Sequence, residues 1–129
     1  MSDIINQLID EAVGLLIQLI KTPSFSREEG VAATLIQEFL VVHGVAVQRH
    51  QHNVWAVSAN FDAGKPTILL NSHHDTVKPG LGWAYPPFEA VQEGDKLIGL
   101  GSNDAGASVV SLLAAFLYLQ DKSNSFNLI

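Results

Sequence analysis

Thr67-Ile68-Leu69-Leu70-Asn71-Ser72-His73-His74-Asp75 is the stretch that decides the fold. Its first five residues form a short apolar run, which predicts a β-strand buried on both faces, as in the sheets of α/β proteins. The run leads directly into two histidines and an aspartate. Open α/β sheets bind their ligands at the carboxyl ends of strands, so this junction is the first candidate site.

His73 and Asp75 are the first candidate functional pair. Side chains alternate across a strand, so the two residues point to the same side. A His-x-Asp pair can supply an imidazole that binds a metal and a carboxylate that accepts its other ring N–H, provided that the chain bends locally. The alternative is an exposed turn in which Asp75 bonds backbone amides, and for the bare motif this alternative is favoured. We interpret His74 as a supporting or solvent-facing residue and not as a ligand.

The second candidate cluster is Gly99-Leu100-Gly101-Ser102-Asn103-Asp104, which precedes a helix predicted over residues 105–119. Asp104 can be a metal ligand, since zinc accepts histidine and carboxylate together. Alternatively, Asp104 caps the helix, which is the better interpretation of this cluster taken alone. A phosphate-binding loop is disfavoured, because no Gly-x-x-x-x-Gly-Lys-Ser/Thr pattern is present and the chain is acidic.

The remaining pattern predicts helices and short strands. A helix over 3–21 should end at Thr22-Pro23, and a second helix should begin at the Ser26/Glu29 capping box and end at Gly44. Further strands are expected at 45–49, 54–58, 89–93, 96–98 and 126–129. These elements predict an α/β or α+β sandwich around a mixed sheet. Because the apolar strand at 126–129 looks unfinished, we expect a truncated chain. His43, His50 and His52 have no carboxylate partner at ligand spacing, and they are predicted to be surface histidines.

Composition limits the function classes. The 129 residues include 13 acidic and 7 basic ones, for a formal charge of −6, which argues against a nucleic-acid-binding surface. There is no cysteine and therefore no thiolate chemistry. Neither a secretory signal nor a run of the roughly 20 apolar residues that a membrane span needs is recognisable. We therefore expect a soluble cytoplasmic protein.

Taken together, three segments resemble a known family: LLNSHHDTVKPG (69–80), WAYPPFEAV (83–91) and KLIGLGSNDAGASVVSLLAAF (96–116). They are similar to the zinc aminoacylase and deacetylase family of metallopeptidases, which includes acetylornithine deacetylase and succinyl-diaminopimelate desuccinylase. The resemblance covers essentially the whole chain. It implies a three-layer α/β sandwich with a mixed sheet, of which residues 1–129 form the N-terminal portion. The C-terminal half and the lid or dimerisation domain are then absent.

The resemblance also implies roles for three residues. His73 matches the histidine that binds one zinc ion, Asp75 the catalytic-site aspartate that orients it, and Asp104 the aspartate that bridges two zinc ions. The peptide bond after Asp104 is commonly cis in the family. The implied cofactor is a pair of zinc ions, for which cobalt can substitute, and the implied reaction is attack of an activated water on an acyl carbonyl.

The implied substrate is a small N-acyl amino acid such as N-acetylornithine, a choice favoured by Leu100 between Gly99 and Gly101, with a role in arginine biosynthesis. The family's Glu-Glu pair, which supplies the general base, has no counterpart after Asp104. We therefore expect the isolated chain to be inactive, although the resemblance admits a homodimer of the full-length protein. The alternatives are a related desuccinylase or dipeptidase, or a non-catalytic binding domain that retains half of an enzyme fold.

Overall fold

The computed structural model of the chain describes residues 2–122 and 125–129. Helices and short strands follow one another along this part of the chain. In order, they are α1 (Ser2–Lys21), α2 (Gly30–Val42), β1 (Val47–His50), β2 (Asn53–Ala56), β3 (Thr67–Ile68), β4 (Val91–Glu93), β5 (Lys96–Ile98), a π-helical turn (Ser102–Gly106), α3 (Ala107–Leu119) and β6 (Asn127–Leu128). The predicted mixture of helices and strands is thus confirmed.

Helix α1 provides one side of the core. Its apolar residues recur every three or four positions, which places them on one face of a helix. Leu15, Leu16 and Ile20 are buried from this face, and they pack with Val110 of α3. The helix ends at Lys21, as expected from the restriction that Pro23 places on Thr22. A second buried cluster joins α2, β2, α3 and β6 through Leu40, Val45, Ala56, Phe116 and Leu128.

The predicted capping box of α2 is wrong. The helix begins at Gly30 with Glu29 as its N-cap, and no side chain caps it. Glu29 instead accepts a hydrogen bond from the backbone N–H of Arg27 at 2.7 Å, and the Ser26 hydroxyl is engaged outside the helix. The predicted end of α2 is confirmed, because Gly44 has a φ of +75° just beyond the helix, a backbone conformation that glycine adopts readily.

The strands form three two-stranded sheets. β1 pairs with β2 and β4 with β5, both antiparallel, whereas β3 and β6 are parallel, with Thr67 opposite Asn127. The Ser58 backbone N–H, just beyond β2, donates to the carbonyl of Leu128 at 2.9 Å and so connects the first sheet to β6. The predicted single mixed sheet is not observed among the described residues, because the parallel pair and the antiparallel pairs belong to separate sheets. The three-layer sandwich that the resemblance implies is not confirmed by residues 2–122 and 125–129.

The prediction of a short strand buried on both faces at 67–71 is wrong. Strand β3 is two residues long, and both its residues are exposed. Ile68 is 44% and Leu69 66% exposed. β6 lies along one side of this segment, where the Leu70 N–H donates to the Ile129 carbonyl at 2.8 Å. Elements on both faces are needed to bury such a run, and the described part of the chain does not cover Ile68 and Leu69.

One helix meets the length and composition criteria for a membrane span. It is Ser102–Leu119, with a mean hydropathy of 1.2. The buried core helix of a soluble protein meets the same criteria, and here Val110 of this helix packs with Leu15 and Leu16 of α1. The expectation of a protein without a membrane span stays a prediction.

The sequence offers His43 no carboxylate at ligand spacing, but the structure pairs it with Glu11, and it likewise places His52 Nε2 3.7 Å from Glu29 Oε2. The Nε2 of His43 lies 2.8 Å from Glu11 Oε2 in α1, and its Nδ1 lies 2.7 Å from the Phe39 carbonyl oxygen. Both ring nitrogens therefore face acceptors, an arrangement that favours the doubly protonated ring. Burial lowers the pKa of His43, but the Phe39 carbonyl and the Glu11 carboxylate outweigh it, so the pKa is raised above its ordinary value of 6.5. The pair joins α1 to the end of α2, a contact between residues 32 positions apart that periodicity does not reveal.

This pair should make stability depend on pH. Because folding raises the pKa of His43, its contribution is complete below about pH 6.5 and is lost as the pH rises through the folded-state value. We expect the free energy of unfolding to fall as the pH rises above about 6.5, by roughly 0.2–1 kcal/mol in all, the range of exposed ion pairs. His43→Gln should abolish this fall in denaturant titrations, whereas His50→Gln, at an exposed position on β1, should retain it. An equal fall in both variants would contradict the assignment.

Candidate metal centre

His73 lies between two aspartates. Its Nδ1 is 3.1 Å from Asp75 Oδ1, and its Nε2 is 3.1 Å from Asp104 Oδ1. The side chains are exposed by 55% for His73, 37% for Asp75 and 89% for Asp104. The structure thus brings together the three site residues predicted from the sequence, and it leaves them open to solvent. Their roles as ligands and orienter stay predictions.

The arrangement around His73 suits a cation. If its Nδ1–H is donated to Asp75, the neutral ring presents a lone pair at Nε2. This lone pair then faces a carboxylate oxygen of Asp104, a contact between two acceptors that needs a proton or a cation to be favourable. Zinc binds imidazole nitrogen and carboxylate oxygen at about 2.0–2.2 Å, which places two tetrahedral ligands roughly 3.3–3.6 Å apart. The observed 3.1 Å is a hydrogen-bond distance, so a small movement of either side chain would bring the pair to the separation of two zinc ligands.

The loop before α3 holds Asp104 away from the helix. The N-cap of α3 is Gly106, and no side chain caps this helix, so the interpretation of Asp104 as a helix cap is wrong. Asp104 and Ala105 have non-helical backbone angles, and the peptide bond between them is cis, as the resemblance implies. The Gly106 N–H donates to the Gly101 carbonyl at 2.8 Å, which closes the loop.

Two side chains donate hydrogen bonds to Asp75. One is His73, and the other is the Ser26 hydroxyl, which lies 2.5 Å from Asp75 Oδ2. The Ser26 hydrogen bond lowers the pKa of Asp75, burial opposes this effect, and His73 adds to it, so that the pKa lies below its ordinary value. Sequence reasoning missed Ser26, because it is 49 residues from Asp75 and its local pattern indicated a helix cap. No signal in the sequence connects the two residues.

His74 is engaged elsewhere. Its Nε2 lies 3.0 Å from the backbone carbonyl oxygen of His52, to which it can donate. Across residues 2–122 and 125–129, no group of three or more His, Cys, Asp or Glu side chains is arranged to hold a metal ion. This part of the chain therefore offers His73 and Asp104 as a ligand pair, and a complete zinc site needs further ligands.

An open groove adjoins His73. Its volume is about 700 Å³. Apart from His73, it is lined by Asn71, Ser72, Ala107, Ser108, Ser111 and Leu112. The amide and hydroxyl groups in this lining can donate and accept hydrogen bonds. The groove therefore offers uncharged polar contacts to a ligand beside the imidazole.

The loop that carries Asp104 should not tolerate a side chain at Gly106. A Cβ atom there would lie 2.7 Å from the Gly101 carbonyl oxygen and 2.7 Å from Leu16 Cδ1. Because one of these atoms belongs to the backbone, Gly106→Ala should destabilise the protein by roughly 1–3 kcal/mol, as overpacking does. The control is Gly80→Ala, where nothing lies within 4 Å of the added atom. Equal denaturation midpoints for the two variants would contradict this account.

Comparison with known proteins identifies the family. Residues 69–128 match peptidase family M20/M25/M40. The chain is similar to the succinyl-diaminopimelate desuccinylase of Orientia tsutsugamushi (strain Ikeda), with 32% identity over 121 residues, 89% of this chain and 31% of the relative. It is also similar to that of Methylobacterium sp. (strain 4-46), with 33% identity, 84% of this chain and 30% of the relative.

A third relative matches over a shorter stretch of the chain. The succinyl-diaminopimelate desuccinylase of Gluconobacter oxydans (strain 621H) is 44% identical over 57 residues, 44% of this chain and 15% of the relative. The chain thus spans about a third of the length of the first two relatives. The resemblance predicted from the His73–Asp75 and Asp104 motifs is confirmed, and through residues 69–128 the chain belongs to peptidase family M20/M25/M40.

Proposed function

We propose that the protein to which this chain belongs is a zinc-dependent amidohydrolase that removes the succinyl group from an N-succinyl amino acid. The observation that carries the proposal is the position of His73, with Asp75 on one ring nitrogen and Asp104 on the other. The reaction class and the acyl group are supported by the relatives, which are desuccinylases. We further propose a soluble, cytoplasmic protein with a small-molecule substrate.

In this proposal His73 and Asp104 bind the metal, and Asp75 orients the imidazole of His73. Asp75 accepts the Nδ1–H of His73 and so fixes the tautomer that directs the Nε2 lone pair towards the metal. Asp104 adds a negatively charged oxygen ligand 3.1 Å from that nitrogen. When bound, zinc acts as a Lewis acid and makes water nucleophilic near neutral pH. The groove beside His73 places hydroxyl and amide groups where an amide substrate can form hydrogen bonds.

The acyl group in this proposal differs from the one that Leu100 favoured. N-acetylornithine, and with it a role in arginine biosynthesis, finds no support in the relatives, which are named for a succinylated substrate. The side chain of one residue between Gly99 and Gly101 is weak grounds for choosing an acyl group. The cofactor proposal remains zinc, two ions in the complete site, with cobalt as a functional substitute.

We also propose that residues 1–129 alone are inactive. Two side chains, His73 and Asp104, are fewer than the three protein ligands of a catalytic zinc site. No Glu-Glu pair follows Asp104 to provide the general base. Turnover of succinyl-diaminopimelate by the isolated chain, at the rate of the whole protein, would contradict this proposal.

The test compares variants of the whole protein. His73→Ala and Asp104→Asn should each lower zinc affinity and kcat/KM for succinyl-diaminopimelate by more than about 100-fold, because they remove metal ligands and not only supporting groups. The matched control is His50→Ala, which removes an exposed histidine from β1 and should leave both quantities unchanged. Bound zinc is measured by equilibrium dialysis, and hydrolysis by release of succinate.

Three outcomes would overturn parts of this proposal. Faster hydrolysis of N-acetylornithine than of the succinylated substrate would make the protein a deacetylase. Full zinc affinity in His73→Ala would remove His73 from the site. A folded wild-type protein that hydrolyses neither substrate with zinc present would favour the alternative of a non-catalytic binding domain.

A further inference from the structure

The Ser26 side chain does not cap helix α2, and it contacts the candidate metal centre instead. The hydroxyl donates to Asp75 Oδ2 at 2.5 Å, while the other carboxylate oxygen of Asp75 is 3.1 Å from His73 Nδ1. Since a hydroxyl donates a single proton, donation to Asp75 is incompatible with simultaneous donation elsewhere. Asp75 is therefore fixed through both oxygens, one on the imidazole side and one on the Ser26 side.

The backbone around Ser26 determines where its hydroxyl lies. The Thr76 N–H donates to the Ser24 carbonyl at 2.7 Å, and Phe25 forms a parallel β-bridge with Thr76. The segment after α1 is thereby paired with the residues that follow the His-x-Asp motif. This pairing brings Ser26 beside Asp75 as a consequence of main-chain hydrogen bonds, so the contact does not depend on a flexible side chain finding its partner.

Thr76, which pairs with Phe25, also contacts the loop that carries Asp104. A Cβ atom at Gly101 would lie 2.6 Å from Thr76 Cγ2, so Thr76 packs closely against the residue that begins this loop. Gly101 in turn accepts the hydrogen bond from Gly106 that closes the loop around Asp104. The segment 24–26 thus supports both parts of the candidate site through Asp75 and Thr76.

We propose that Ser26 is a positioning residue of the metal centre, which acts through Asp75 to hold the His73 imidazole in the orientation that binds zinc. This inference rests on the proposed function, since it concerns the same metal. A hydrogen bond to the second oxygen of a carboxylate that orients a metal-binding histidine restricts the rotation of that carboxylate further. Ser26 supplies such a bond to Asp75, and groups that bond to a ligand's partner affect metal affinity although they do not touch the metal.

The test uses the whole protein loaded with zinc or cobalt(II). Ser26→Ala should weaken zinc binding about tenfold, the lower end of the effect of groups that support metal ligands. It should also alter the visible absorption bands of bound cobalt(II), which report the geometry of the ligands. Ser26→Thr keeps a hydroxyl at this position and should restore the affinity and the spectrum.

Ser24→Ala is the matched control. Ser24 lies in the same segment and is 3% exposed, and its hydroxyl has no hydrogen-bond partner within the described residues. The variant keeps the backbone carbonyl that pairs with Thr76, so it should leave metal binding unchanged. If Ser24→Ala weakened zinc binding as much as Ser26→Ala, the effect would belong to the segment and the positioning role would be overturned.

Two further outcomes separate this inference from the proposed function. Loss of zinc in His73→Ala together with wild-type affinity and spectrum in Ser26→Ala would overturn the positioning role alone. Wild-type zinc affinity in both variants would overturn the metal site and the positioning role together. Circular dichroism confirms that each variant is folded, so a change in affinity is not mistaken for unfolding.

Discussion

The structure of the candidate site depends on how the two ring nitrogens of His73 are used. A neutral imidazole has one donor and one acceptor nitrogen, and a partner on the first decides which nitrogen is free. Asp75 lies at Nδ1 and Asp104 at Nε2, each 3.1 Å away, so once Nδ1 donates to Asp75, a proton or a cation is needed between Nε2 and Asp104. Each segment around the site positions one of three side chains, those of His73, Asp75 and Asp104.

Main-chain conformation supplies most of that positioning. The His73–Asp75 pair follows a short strand paired with β6, and Asp104 lies in a loop closed by the bond from Gly106 to Gly101. The close approach of Leu16 to Gly106 connects this loop to the buried face of α1. The site is thus supported by the packing of α1 against α3, although its own side chains are exposed.

Polar contacts between distant segments replace some of the hydrogen bonds that local sequence patterns predict. Ser26 and Glu29 form a capping-box pattern, yet the hydroxyl of Ser26 is donated to Asp75 and Glu29 accepts from the Arg27 N–H. A capping hydrogen bond contributes about 1 kcal/mol, and a hydrogen bond to a charged carboxylate contributes as much or more. His43 illustrates the same effect, because Glu11 reaches it from another helix.

The sequence by itself determined the family, the order of helices and strands, the ends of α1 and α2, and the candidate residues His73, Asp75 and Asp104. These features depend on short-range periodicity, on proline and glycine, and on motifs of a few adjacent residues. Only the tertiary structure decided that the three side chains meet, that Ser26 holds Asp75, and that Ile68 and Leu69 are exposed. Such contacts join residues 31 to 49 positions apart, and nothing in local spacing specifies which distant segments pack together.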